Sequence, residues 1–182
     1  MIKRVGGGAV LGAAVVVGAW LAWPRSPASG RQAEPIPAPQ GGETAKFFGV
    51  ASCASMACHH FNGAKGEARS EYSTWSAWDK HARAYAVLEN DRSRRIVRNL
   101  YYSEADPDKV PATARRLCLE CHSTYAAKGE AGERFFVGDG VGCESCHGPA
   151  EKYLTTHYGR GFKELSNEEK ESTYGLRNVW DL

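Results

Sequence analysis

Residues 140–157 read GVGCESCHGPAEKYLTTH, and the rest of the chain is read outward from this stretch. Cys143-Glu-Ser-Cys146-His147 has the C-x-x-C-H spacing that attaches a c-type haem. Two thiols three positions apart can each form a thioether to one vinyl group of the porphyrin. His147, the next residue, is then placed to offer its imidazole to the iron from the same side. Further on lies a second histidine, His157, and the segment from Pro149 through Glu151, Tyr153 and Leu154 to His157 is expected to be a short helix.

The chain has 182 residues, six cysteines and six histidines. All the cysteines fall into pairs that a histidine follows at once: Cys53/Cys58-His59, Cys118/Cys121-His122 and Cys143/Cys146-His147. A disulfide framework has no reason to place histidine after each second cysteine. Structural zinc needs four tetrahedral ligands, and three Cys-Cys-His triplets do not divide into such sites without leftovers. The pattern predicts three haem c groups, attached through Cys53, Cys58, Cys118, Cys121, Cys143 and Cys146. The first pair has the longer spacer Ala-Ser-Met-Ala, which can bulge outward and still bring both sulfurs to the vinyls. A formal charge of only +2 gives no reason to expect nucleic acid as a partner.

Three regions follow in order. Residues 1–23 start with Lys3 and Arg4 and then run uncharged from Val5 to Trp23, close to the ~20 apolar residues that span a bilayer as a helix. This reads as an uncleaved signal anchor, with a cleaved export signal as the alternative. Residues 24–45 hold Pro24, Pro27, Pro35, Pro37 and Pro39 and read as a linker. Residues 46–182 are the haem domain. It needs little conventional core, because porphyrins are large apolar bodies, and modest secondary structure is expected. Its end, Trp180-Asp181-Leu182, is apolar and reads as a truncated product. Either form of the N-terminus puts the haems outside the cytoplasm, on a membrane-anchored protein facing the periplasm or on a soluble periplasmic one.

Within the haem domain, Phe47-Phe48-Gly49-Val50 and Phe135-Phe136-Val137 are short apolar segments expected to contact haem. Glu67 to Asn90 reads as one helix, with Trp75, Trp78, His81, Ala82, Tyr85 and Leu88 on a common stripe. His81 lies in that stripe, where a sixth iron ligand would be needed; the alternative is a hydrogen-bonded core histidine. Asp91 to Glu104 carries Arg92, Arg94, Arg95 and Arg98 and predicts an amphipathic helix with a solvated basic face, or a docking face for an acidic redox partner. Pro111 suits the first turn of a helix over Ala112 to Cys121. The glycine-rich segment from Lys128 to Gly142 reads as a loop. Ser166 and Glu169 form an S-x-x-E capping box that opens a further helix.

Three six-coordinate haems need six axial ligands. His59, His122 and His147 supply three, leaving His60, His81 and His157. His60 adjoins His59 and cannot reach the same iron face, so it reads as a surface or propionate-contacting residue, with a neighbouring haem as the alternative. Met56 sits inside the first attachment loop and is poorly placed as a ligand of its own haem. Two haems can therefore be bis-histidine, which suits outer-sphere electron transfer, and one can lack a protein ligand.

Trp78-x-x-His81-Ala82, Cys118-Leu-Glu-Cys121-His122-Ser-Thr, and Gly140-Val-Gly-Cys143-Glu-Ser-Cys146-His147-Gly148-Pro149 with His157 after it together resemble the cytochrome c-554 family of multihaem cytochromes. The match runs from Phe47 to His157, and the GVGCESCHGP segment is its most specific part. The resemblance implies a mainly α-helical, loop-rich fold with closely stacked haems. It implies that His81 serves the His147 haem, that His157 reaches back to the His59 haem, and that the His122 haem is five-coordinate. The longer first spacer, the N-terminal anchor and the absence of a fourth motif depart from the family pattern. The expected function is single-electron carriage between redox partner proteins, with a quinol-linked membrane donor among the candidates. The alternative is redox chemistry on a small nitrogen compound such as NO at the open haem.

Overall fold

The structure, a computed structural model, describes residues 44–181. The expected anchor over residues 1–23 and most of the linker over 24–45 lie outside the described residues. Among the described residues no helix is long and apolar enough to cross a membrane.

Short helices joined by loops make up the fold: α1 (Glu71–Trp78), α2 (Asp91–Leu100), α3 (Arg116–His122), α4 (Cys143–His147), α5 (Arg160–Glu164) and α6 (Asn167–Tyr174), with short 3-10 turns before, among and after them. Extended pairing among the described residues is one isolated parallel bridge, Phe47 with Ala131. The mainly helical, loop-rich class expected from the sequence is the observed one.

Two small apolar clusters hold these pieces. Leu88, Val97 and Ala112 are buried together, with Tyr85, Tyr101, Cys118 and Leu119 packed against them. Ala150, Tyr153, Phe162 and Tyr174 form the second, flanked by Leu154, Leu165 and Leu176. Arg115 extends the first cluster with polar contacts. Its side chain is nearly buried, pairs with both carboxylate oxygens of Glu104 at 2.8 Å, donates to the carbonyls of Val110 and Pro107, and lies 3.6 Å from the Tyr101 ring centre.

Several elements depart from the sequence expectation for local reasons. The single helix expected over Glu67 to Asn90 is instead α1 followed by separate 3-10 turns at Lys80–Arg83 and Ala86–Glu89. Asp79 causes the break: its backbone is extended and its carboxylate accepts from the His81 amide at 2.9 Å, a local bond that competes with the helix. Leu88 is buried as the stripe implies, but Trp78 is 65% exposed. The helix expected from Ala112 to Cys121 is a 3-10 turn, Ala112–Ala114, then α3, separated by extended Arg115. The helix expected from Pro149 to His157 is only a 3-10 turn, Ala150–Lys152, followed by further turns. There the Thr156 hydroxyl and the His157 ring bond to the Tyr153 carbonyl, and the same ring bonds to that of Leu154.

Other expectations stand as read. The basic helix forms as α2, capped by Asn90 through Ser93 N–H, but it stops at Leu100, and the expected last residues to Glu104 form a turn. The Ser166/Glu169 capping box is complete at the start of α6. The segment from Lys128 to Gly142 is a loop carrying one 3-10 turn, Val137–Asp139.

Candidate haem-attachment site

Helical spacing presents the second and third cysteine pairs. Cys118 and Cys121 lie on α3, Cys143 and Cys146 on α4, and residues three apart share one helix face. The first pair is built differently. Cys53 ends a 3-10 turn, Val50–Ser52, and the longer spacer leads into a turn closed by the Cys58 amide on the Ser55 carbonyl at 2.9 Å. All six thiols are free, and in each pair the second cysteine, Cys58, Cys121 or Cys146, is exposed. Free cysteine is normally among the most buried residue types, so this outward presentation calls for a partner outside the protein core. Exposed apolar side chains lie within or beside two of the motifs in the chain: Met56, Phe61 and Leu117. Such surface fits the faces of a porphyrin. Among the described residues no group of three or more His, Cys, Asp and Glu side chains is gathered as a metal site, so these thiols are not drawn together as the four ligands that zinc takes.

The first and third motifs meet. The Cys53 and Cys143 thiols interact; that interaction and burial push Cys53 up, while the same interaction draws Cys143 down. Glu144, between the third pair's cysteines, is almost fully buried. Its Oε1 accepts from Phe48 N–H at 2.9 Å and Ala150 N–H at 2.7 Å, and its Oε2 from Gly49 N–H at 2.6 Å. One carboxylate thus fastens the segment that leads into Cys53 to the loop that holds Cys143 and Cys146. The second motif is tied to the third through Thr124. Its hydroxyl accepts from Gly142 N–H and bonds to the Ser145 hydroxyl, both at 2.8 Å, and its amide donates to the Gly140 carbonyl.

Each candidate ligand histidine has its Nδ1 against an oxygen acceptor. His59 faces Glu71 at 3.1 Å, His81 faces Asp79 at 3.1 Å, His122 faces the Ala84 carbonyl at 2.8 Å, His147 the Arg177 carbonyl at 3.2 Å, and His157 the Tyr153 carbonyl at 3.0 Å. Nδ1 must then carry the proton, which leaves the Nε2 lone pair for a metal. His60 is held the same way by Ala54 at 3.2 Å, with its ring edge-on to Tyr72, so the tautomer by itself does not separate it from the rest.

The structure brings some of these histidines together. The His59 and His157 rings, distant in sequence, have centres 6.1 Å apart and planes within 9° of parallel. His81 and His147 make no such ring contact. His81 is linked to the third motif through its backbone: its carbonyl accepts from Val141 N–H at 3.1 Å, while its side chain is 65% exposed. Gly140 permits that approach, because its φ is +77° and a Cβ there would lie 2.5 Å from the His81 carbonyl oxygen. Trp75 reinforces the same junction through its indole N–H on the Val141 carbonyl at 2.9 Å. His122 has no histidine ring beside its own among the described residues. Behind His147 lies the segment from Gly175 to Arg177: the His147 carbonyl accepts from Arg177 N–H at 3.0 Å while the ring donates back to the Arg177 carbonyl.

Sequence reasoning did not find Glu71, Glu144, Thr124 or the Arg177 backbone. Glu144 alone left a trace, as the one acid between the cysteines of the third motif, but spacing says nothing about its burial. A cavity of about 600 Å³ lined by Lys46, Phe48, Ser52, Arg134 and Leu154 has no cysteine or histidine in its wall.

No curated protein and no solved structure matches the chain. The family of cytochrome c554 and c-prime matches residues 52–148, a span that takes in all three Cys-Cys-His motifs and His81. The free thiol pairs, each with its second cysteine exposed, agree with this match: the chain belongs to the cytochrome c554 and c-prime family, and is a c-type cytochrome that carries electrons on covalently bound haem.

Proposed function

We propose that the protein is an extracytoplasmic carrier that passes single electrons along three haem c groups held at Cys53/Cys58, Cys118/Cys121 and Cys143/Cys146. His59, His122 and His147 ligate their own haems, His157 completes the His59 haem, and His81 completes the His147 haem. The observation that carries this reading is the His59/His157 pair. Metal–imidazole bonds of about 2 Å put two rings on opposite sides of one metal with centres about 6 Å apart, and the observed 6.1 Å suits that arrangement. Both rings keep Nε2 free because Glu71 and the Tyr153 carbonyl hold their Nδ1 protons. The bound haem supplies reversible one-electron chemistry; the chain supplies ligands, spacing and burial, which set its potentials. The contact between Cys53 and Cys143 keeps the first and third attachment points adjacent, which supports closely stacked haems. The charged start and apolar run of residues 1–23 support export and a membrane anchor, with a quinol-linked donor and a second redox protein as partners.

The test is to express the chain with a haem-maturation system, count covalent haems, and compare His157→Ala with the parent. Three haems per chain are expected. In the variant one low-spin haem is expected to become high-spin while all three stay attached. Fewer than three haems in the parent would remove the trihaem reading. An unchanged low-spin count in the variant would remove the cross-ligation.

The ligand count favours a second reading: with His157 and His81 assigned elsewhere, no histidine among the described residues remains beside His122, so its haem is five-coordinate and acts on a small nitrogen compound such as NO. Titrating the reduced protein with NO or CO is expected to change the spectrum of one haem. The absence of any change leaves simple electron transfer.

A further inference from the structure

The acceptors behind the ligand histidines differ in charge. His122, His147 and His157 donate to neutral peptide carbonyls, whereas His59 donates to the carboxylate of Glu71. This carboxylate is held in place from several sides. Its Oε1 accepts from Arg69 N–H at 2.9 Å, leaving Oε2 for His59 Nδ1 at 3.1 Å. Arg69 adopts a φ of +71°, uncommon for a residue with a side chain, and its carbonyl accepts from Phe61 N–H at 2.8 Å. The next residue after Glu71, Tyr72, donates its amide to the His59 carbonyl at 2.8 Å. The start of α1 is therefore docked on the first motif by backbone bonds on both sides of Glu71, and the carboxylate is aimed at one ring nitrogen.

We propose that Glu71 is a positioning residue that sets the potential of the His59 haem, holding it below the value that a neutral acceptor behind His59 would give. The inference rests on the reading that His59 ligates iron. An anionic acceptor draws the Nδ1 proton and raises the basicity of Nε2. A more basic ligand with a negative charge behind it favours iron(III) over iron(II), so the one-electron reduction becomes harder. Asp79 stands in the same relation to His81, but there a single carboxylate oxygen also caps the His81 amide, and so it is shared. The dedicated contact is the one at His59.

The experiment is a potentiometric titration of the haem-loaded chain, followed optically, for the parent, Glu71→Gln, Glu67→Gln and His157→Ala. His157→Ala marks the couple that belongs to the His59 haem. In Glu71→Gln that couple is expected to favour reduction about tenfold more, about 59 mV for one electron, with the other couples moving by less than a third of that. Glu67→Gln removes a nearby charge that bonds Ala64 N–H and not His59, and it should leave the marked couple in place. If His157→Ala marks no couple, the pairing of His157 with the His59 haem falls, and the proposal falls with it unless Glu71→Gln alone moves a single couple about tenfold. If it marks one that Glu71→Gln does not move, only the proposal falls. Equal shifts in Glu67→Gln, or a shift on another couple, would show a general charge effect and overturn it as well. Should Glu71→Gln lose haem, Glu71→Asp is read in its place; it keeps the charge on a shorter stem and should move the marked couple part way. An unmoved couple in Glu71→Asp, or loss of haem in both variants, would assign Glu71 to folding alone.

Discussion

Replacing Glu144 tests how the attachment sites are held together. The carboxylate is 3% exposed and accepts from the backbone amides of Phe48, Gly49 and Ala150. Glu144→Ala strands three donors, two buried (Gly49, Ala150) and one part-buried (Phe48), each buried one costing about 1–3 kcal/mol when unsatisfied. Water entering the vacated space, and relief from burying a carboxylate, offset part of that sum. The expected net cost is about 3–5 kcal/mol, a large share of the roughly 5–15 kcal/mol that stabilises a typical domain. Glu144→Gln keeps one acceptor oxygen, enough for Phe48 and Ala150 through their shared Oε1, but turns an amide NH2 toward Gly49 N–H. It should cost about 2 kcal/mol, the order of one unsatisfied donor. The assay is denaturant unfolding of the haem-loaded protein by circular dichroism, with amide hydrogen exchange read at these three residues. Exchange should quicken at all three in the alanine variant and mainly at Gly49 in the glutamine variant. An alanine cost below about 1 kcal/mol, or a glutamine cost equal to it, would refute the reasoning that this carboxylate fastens the first motif to the third.

Gly140→Ala would place a methyl group 2.5 Å from the His81 carbonyl oxygen at a φ of +77°. Strain and overpacking together are expected to cost about 2–4 kcal/mol, measured by denaturant unfolding; a variant as stable as the parent would contradict the close approach. The Glu104/Arg115 pair gives a signed pH dependence. The Arg115 hydrogen bonds hold the Glu104 carboxyl below its usual value. Its contribution is therefore full above the unfolded value of about 4.3 and is lost as pH falls through the lower folded value. Denaturant midpoints of the parent and Glu104→Gln should differ at neutral pH and converge in acid, whereas parallel curves would show that the pair does not couple to folding.

The candidate attachment motifs are legible in the sequence because they depend on spacing along the chain. A cysteine pair followed at once by histidine, three positions apart in two motifs and five apart in the first, is a motif wherever it folds, so the candidate attachment cysteines and the candidate ligands His59, His122 and His147 could be named directly. The Ser166/Glu169 cap and the basic helix α2 were legible for the same reason, since both rest on contacts within one turn or along one helix. The helix expected over Glu67 to Asn90 was misread because its pattern is helical while Asp79 bonds locally and ends it. Tertiary structure alone decided three contacts between distant segments: Cys53 against Cys143, Glu71 behind His59, and Glu144 buried under Phe48 and Gly49; the approach of His157 to His59 was implied by the family resemblance, not by spacing, and the fold places the two rings side by side. No sequence period records these pairings, because each arises where loops cross and unsatisfied backbone amides require an acceptor. The sequence by itself determined what the chain can attach; the fold decided which attachment points are neighbours and which charge stands behind each ligand.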